Sequence, residues 1–443
     1  MKNQAICPPE WLSKNAVYQI NPRTFSKEGT LNAITKELPF LKELGFNIIY
    51  LCSICEADEG KDEASMSPRQ IASKTGNPKN MYILSDYFSV DEEYGTMEDL
   101  KNLVNRAHEL EMKVLLDIVY AHIGKSSKLL KEHPEFIKHD QEGNLVASKW
   151  SSMLIDSSNI GLREYLYCNM VYYIAVIGAD GFRCDVGDYL PCDFWKTARE
   201  RIQSVKKDAV LVNESASYVN MATAFDSNYC FHWHNALRNV FCGYDPASKI
   251  KEAYEYVVEN APVGARVLRD IENHDSVTDW NGRCETIAGH DGMEQIEVIN
   301  YLIDGIPMVY SGNELACEAD LNMFANRFYP GKYEVTDRNN KYSDVSLRRQ
   351  NIMNTLNKMK AESDLLCYGE TAWIDTSCPE KIVSFKRSLG EEEMIFIGNV
   401  KESEADIEIG DIIGDKKCIL ANGEHKTENG VLYLSAREYA VFA

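Results

Sequence analysis

The chain has 443 residues, enough for one large catalytic domain and a smaller companion. Its 44% hydrophobic and 26% charged residues are the proportions of an ordinary soluble globular protein, and no apolar run approaches the ~20 residues that span a bilayer. A net charge of −21 argues against nucleic acid or an anionic membrane as partner and suits a neutral substrate.

The N-terminal residues lack the apolar core of a secretory signal. The cysteine count is odd at thirteen, with Cys52, Cys168, Cys184 and Cys230 inside apolar stretches. Buried free thiols in a reducing compartment are the expectation, and hence a cytoplasmic location. Cys52-Ser-Ile-Cys55 has C-x-x-C spacing without a second pair at zinc distance, so it reads as the end of a buried strand. His232-Trp-His234 lacks an evident third ligand and reads as structural.

From residue 16 to about 310, short apolar runs alternate with amphipathic helical ones. A strand at Ala16–Ile20 precedes a helix from Leu31 to Leu44 and a strand at Asn47–Leu51. Thr96, with Glu98 and Asp99 in the first turn, caps a helix running to Glu111. Strands follow at Lys113–Val119 and around Ala179–Val186, with a helix near Arg163–Val176 between them. A helix near Asp193–Val205 leads to strands at Ala209–Asn213, Asn228–Phe231 (the least distinct), Arg266–Ile271 and Pro307–Tyr310, with a helix near Met293–Ile303 before the last. Alternation with near-continuous apolar strands means a parallel sheet with helical crossovers. A doubly wound open sheet is the alternative, but no Gly-rich phosphate loop follows the first strand. Eight strands over roughly 300 residues fit a TIM (β/α)8 barrel better.

Two loops are long: Cys55–Lys79, and a short insert at about 123–157 after the third strand. Both are expected to shape a binding cleft. The barrel, with its insert, is expected to occupy residues 1–362. Residues 363–443 carry short strand patterns punctuated by Gly390, Gly410, Gly414, Gly423 and Gly430, which reads as a C-terminal antiparallel β-sandwich without a catalytic cluster.

The polar residues concentrate where barrel chemistry sits, at the C-terminal ends of strands: Asp117 and His122, Arg183 and Asp185, Glu214, His274 and Asp275. Arg183 and Asp185 lie two apart and share a face, and the guanidinium favours an ionised Asp185. Glu214, after Val210-Leu-Val-Asn, is placed for a raised pKa. Two carboxyl groups in unlike environments are what glycosidic bond cleavage requires.

The motifs extend this pattern. Asp117-Ile-Val-Tyr-Ala-His122, Gly181-Phe-Arg-Cys-Asp185, Val212-Asn-Glu214 and Glu272-Asn-His-Asp275 stand in order, with Tyr18-Gln-Ile, Tyr94-Gly-Thr96 and Gly305-Ile-Pro-Met-Val-Tyr-Ser-Gly-Asn-Glu314 around them. On these residues the chain resembles the α-amylase family of glycoside hydrolases over almost its whole length. The resemblance implies Asp185 as nucleophile, Glu214 as general acid/base and Asp275 as transition-state stabiliser. It places Arg183, His122 and His274 in the subsite of the reacting sugar, with Asp117 holding the arginine and Tyr82 stacking on the sugar. It implies retention of the α configuration, with nucleophile and acid ~5–5.5 Å apart.

Departures from the family pattern bear on specificity. Ala121 replaces the usual calcium-binding Asn, so neither the conserved calcium site nor any other metal or cofactor is expected. Val186-Gly-Asp188-Tyr replaces the usual Lys-His after the nucleophile, Ile83 follows the stacking tyrosine, and Val186 resembles enzymes of α-1,6 bonds. Linkage, endo or exo action and oligomeric state stay open. The expectation is an α-glycosidase acting on α-glucan oligosaccharides. The alternatives are a transglycosylase or sugar isomerase of the same family, or a non-catalytic carbohydrate-binding protein.

Overall fold

The structure, a computed structural model, describes residues 2–60, 65–280, 282–409 and 412–443. Gly410 and positions 61–64 of the first long loop lie outside the described residues.

Eight parallel strands follow one another in chain order around a barrel. They are β1 (Val17–Ile20), β2 (Ile48–Leu51), β3 (Lys113–Ile118), β4 (Gly181–Cys184), β5 (Val210–Asn213), β6 (Ser227–Asn228), β7 (Leu268–Arg269) and β8 (Ile306–Tyr310). Ladders join each neighbour from β1 through β6, and β8 pairs with both β1 and β7. The remaining seam, β6 to β7, is bridged by Ser227 Oγ donating to the Arg266 carbonyl at 2.7 Å. The sixth strand is shorter than the sequence suggested and begins one residue earlier, because Phe231 already opens a helix, Phe231–Phe241. Gly181 is required at its place: a Cβ there would run into the Val210 carbonyl of the neighbouring strand.

Strand parity sets the layers. Val17, Ile48, Leu115, Val210, Val212 and Met308 form a buried cluster inside the barrel. The same parity carries Gln19, Tyr50, Asp117 and Arg183 into the top layer. Residues of opposite parity, such as Tyr18, Ile49, Leu116 and Phe182, pack in the larger core with the surrounding helices. Thr96 closes its helix, Met97–Glu109, through a reciprocal cap with Asp99. The helix expected near Met293 starts earlier, at Cys284, and breaks at Gly289 (φ 72°). Cys168, expected inside, is exposed, because on the helix Ile160–Tyr172 the inward positions fall to Leu162, Leu166, Tyr167, Asn169 and Met170.

The first long loop is an antiparallel pair, Cys55–Glu59 with Lys79–Val90, carrying a short helix, Pro68–Ser73. The insert after β3 is a small folded unit in which His122–Ile123 pairs with Met153–Leu154. Beyond the helix Asp344–Glu362, a five-stranded and a three-stranded antiparallel sheet face each other across Ile382, Ile395, Ile397, Ile407, Leu432, Leu434 and Phe442. This sandwich docks on the barrel through Tyr439 Oη to Glu294 (2.9 Å) and Arg387 Nη1 to the Leu302 carbonyl (2.6 Å).

Candidate active site

The site is organised by one buried guanidinium. Arg183, 1% exposed, projects from β4 into the top of the barrel. Its Nη1 reaches Asp117 Oδ1 at 2.7 Å and Asp185 Oδ1 at 2.8 Å, and its Nη2 lies 2.8 Å from Glu214 Oε2. Three strand ends, β3, β4 and β5, thus converge on one cation. Asp117 is further fixed by the hydroxyls of Tyr50 and Tyr82, each donating to Oδ2 at 2.7 Å.

Three acids around one cation change the protonation expected from sequence. Burial raises the carboxyl pKa of Asp185 as well as that of Glu214, against the pull of Arg183. Arg183 is beside Asp185 as anticipated, but it is divided among three acids and does not hold Asp185 in the ordinary carboxylate range. Asp185 and Glu214 therefore titrate as a pair.

Val186 turns the chain immediately after Asp185 with φ 38° and ψ 49°, a left-handed conformation that a β-branched residue adopts only under constraint. The turn aims the Val186 N–H at Glu214 Oε2, 2.9 Å away. The Trp195 indole N–H holds the next carbonyl, that of Gly187, at 2.7 Å. Asp188, where the family pattern is broken, accepts from the Ser215 hydroxyl and the Asn220 amide.

The loop after β7 brings His274 and Asp275. Glu272 anchors that loop by accepting from the Cys284 N–H at 2.6 Å and pairing with Arg283 at 2.8 Å. Gln19 Nε2 lies 3.0 Å from His274 Nδ1, and the Tyr82 ring stacks on the imidazole with centroids 5.0 Å apart. Burial lowers the pKa of His274. Burial works to raise Asp275, but His274 and Arg69 outweigh it and hold that carboxyl down at about 2. His122 lies at the β3 end, its pKa pushed down to about 4 by burial, with the Trp150 ring 4.8 Å from its own.

Of the residues singled out from sequence, Tyr82, His122, Asp185, Glu214, His274 and Asp275 line one cleft, with Asp117 and Arg183 directly beneath. Sequence reasoning missed Arg69, Trp150, Asp279 and Phe324, which line the same cleft from loops. Arg69 Nη1 pairs with Asp275 at 2.8 Å and its Nε with Asp279 at 2.8 Å. Trp150, from the insert, packs against Tyr189 at 5.3 Å. His232 and His234 share no centre: His234 pairs with Asp270 at 2.9 Å, while His232 stacks on Tyr256. Ala121 offers a calcium ion no side-chain donor, and its carbonyl accepts the Ile155 N–H at 3.4 Å. The residues at that place do not fit the family's calcium site. Among the described residues, no group of three or more His, Cys, Asp or Glu side chains is placed to hold a metal ion.

Known proteins resemble this chain over most of its length. The family model for the alpha amylase catalytic domain matches residues 14–151. The chain is 24% identical to a cyclomaltodextrinase of Thermoanaerobacter pseudethanolicus, over 96% of this chain and 77% of that protein. It is 23% identical to an intracellular maltogenic amylase of Bacillus subtilis, over 88% of this chain and 69% of that one. Its fold matches the crystal structure of the maltogenic α-amylase AmyB from Thermotoga neapolitana with a TM-score of 0.80 at 24% identity, covering 97% of this chain and 98% of the other. The family model, the relatives and the structural neighbour all indicate the α-amylase family.

Proposed function

We propose that this protein is a retaining α-glycoside hydrolase, cleaving α-glucosidic bonds of α-glucan oligosaccharides through a covalent glycosyl-enzyme intermediate. The observation that carries this reading is the sharing of Arg183 by Asp185 and Glu214, both at 2.8 Å, in a cleft at the C-terminal face of the barrel. The relatives named cyclomaltodextrinase and maltogenic amylase support the substrate class.

In this reading the pair holds one proton, and it resides on Glu214. Glu214 Oε2 accepts from the Val186 N–H and faces Arg183 Nη2 at 2.8 Å, which leaves Oε1 to carry the proton. Asp185 attacks the anomeric carbon as the bond to the leaving oxygen breaks, and the Glu214 proton passes to that oxygen. Water then attacks the same carbon, its proton returns to Glu214, and the ester bond to Asp185 opens. Asp275, held ionised, binds sugar hydroxyls and complements the positive charge that develops on the ring. Tyr82 supplies an apolar face, and His122 and His274, both neutral at pH 7, supply hydrogen bonds. The two carboxyl groups provide nucleophile and acid, so the chemistry calls for no cofactor. We place the enzyme in the cytoplasm: all thirteen cysteines are free thiols, and among the described residues no helix is long and apolar enough to cross a membrane.

The test is hydrolysis of maltooligosaccharides with the anomeric form of the first product followed by NMR. The α form is expected, and Asp185→Asn is expected to abolish turnover with an unchanged circular dichroism spectrum. An undiminished rate in that variant would overturn the assignment.

A further inference from the structure

Among the described residues lining the cleft, the one Arg or Lys is Arg69, and it does not come from the barrel. It sits on the short helix Pro68–Ser73 in the loop after β2. Ser67 and Gln70 cap that helix reciprocally, at 3.2 and 3.3 Å, and Gln70 Nε2 donates to the Asn77 carbonyl at 2.6 Å. Asn77, itself buried, donates from Nδ2 to the Phe324 carbonyl in the loop after β8, at 2.9 Å. From this braced base Arg69 reaches Asp275 and Asp279 in the loop after β7, at 2.8 Å each, with its guanidinium 5.8 Å from the Phe324 ring centre. Since β1 and β8 lie between β2 and β7, this ion-pair bridge spans one half of the barrel mouth.

The other half belongs to the leaving group. Glu214, which delivers the proton to the departing oxygen, stands with Val186, Tyr189 and Trp150 on the loops after β3, β4 and β5. Arg69, Asp279 and Phe324 therefore lie behind the sugar whose bond is cut, on the side toward the non-reducing end. Because Arg69 touches Asp275 directly, the bridge stands immediately beside the place of that one sugar.

We propose that the bridge from Arg69 to Asp279 closes the cleft behind the reacting sugar, so that the enzyme acts on non-reducing chain ends and releases single glucose units. The inference rests on the hydrolase reading above and sharpens it. The chemistry of the wall also selects a neutral end. Two carboxylates face one guanidinium, so a phosphorylated terminal sugar would meet net negative charge.

The experiment compares maltoheptaose carrying a free non-reducing end with the same chain blocked there by a 4,6-acetal, products being separated by chromatography. The wild-type protein is expected to release glucose first from the free chain and to cleave the blocked one at least ~100-fold more slowly, as steric exclusion of a terminal group allows. Arg69→Ala and Asp279→Ala, each removing one side of the bridge, are expected to raise the blocked-to-free ratio by at least about tenfold, and Arg69→Lys to restore it partly. Equal cleavage of both chains by the wild-type protein, or maltose as first product, overturns the proposal. So does an equal loss on both chains in the two alanine variants, which would make Arg69 a positioning partner of Asp275 and no wall. Failure of the wild-type protein to cleave either chain refutes the hydrolase reading itself, and the wall falls with it.

Discussion

Replacing Arg183 by lysine puts the electrostatic organisation of the site to its most direct test. The guanidinium serves Asp117 and Asp185 from one nitrogen and Glu214 from another, at 2.7, 2.8 and 2.8 Å, and is 1% exposed. A single ammonium cannot span three carboxylates approached from two separate nitrogens. The loss falls unequally. Asp117 keeps the hydroxyls of Tyr50 and Tyr82, and Glu214 keeps the Val186 N–H. Asp185 keeps no side-chain hydrogen bond from the described residues. Burial already raises its pKa, and an ammonium out of hydrogen-bond reach opposes that rise less than the guanidinium does, so a smaller share of the proposed nucleophile is ionised. The expected outcome is a fall in kcat/KM of about 10²–10³, or ~3–4 kcal/mol of transition-state stabilisation, with the acid limb of the pH–rate profile displaced to higher pH. Melting temperatures should fall as well, since breaking a buried ion pair costs roughly 3–5 kcal/mol before the orphaned carboxyls take up protons. The assay is kcat/KM on maltotriose between pH 4 and pH 8, run well below the melting temperature of the variant. Activity within about fivefold of wild type with an unmoved acid limb would refute the argument, because a factor so small corresponds to only ~1 kcal/mol.

Two further predictions concern stability. Burial raises the carboxyl pKa of Glu214, so its stabilising contribution is present below the unfolded value near 4.3 and is lost as pH rises through the folded one. At pH 7 the group is a cost, and Glu214→Gln is expected to gain on the order of 1 kcal/mol, about 2–3 °C, at pH 7 but not at pH 4, while losing activity; calorimetry showing a lower melting temperature at pH 7 would contradict this. His122, 2% exposed and with its pKa pushed down to about 4 by burial, has the opposite sense. Its contribution is present above pH ~6.5 and drains away between there and pH 4, by at most ~3 kcal/mol. Urea midpoints at pH 7 and pH 4.5 should therefore drop further in the wild-type protein than in His122→Gln, and parallel curves would rule the account out.

The barrel was legible because strand and helix periods alternate with little ambiguity, and because each acid of the site directly follows an apolar run. The parity that buries Val17, Ile48 and Leu115 also fixes where Gln19, Tyr50 and Asp117 must point, so the floor of the site could be read residue by residue. Strand six was blurred because two paired residues, Ser227 and Asn228, leave no periodic signal before the helix at Phe231. Arg69, Trp150, Asp279 and Phe324 were not legible at all. They lie on loops whose geometry depends on contacts distant in sequence, such as Asn77 with Phe324, and no local pattern encodes such a contact. Nor could the stoichiometry of charge be read from a pair of neighbours. The resemblance already implied Asp117 beside Arg183 and Asp185; that Glu214 claims the same cation was not legible.

That shared cation and the strained turn beside it constrain the backbone from Arg183 to Gly187. A left-handed valine costs about 1–2 kcal/mol, and the surroundings hold it there. Trp195 grips the Gly187 carbonyl, and a side chain at Gly187 would run into Asn213. In the proposed mechanism the constraint serves the chemistry, since the turned Val186 N–H fixes the carboxyl group assigned to protonate the leaving oxygen. Reaction and specificity then reside in different parts of the fold. The strand ends supply the acids and the cation and are locked from below by barrel packing. The two ends of the cleft, Trp150 with Tyr189 on one side and Arg69 with Asp279 on the other, are carried by loops that can change without disturbing the floor. Selection on substrate can thus act on the walls while the inherited reaction stays in place.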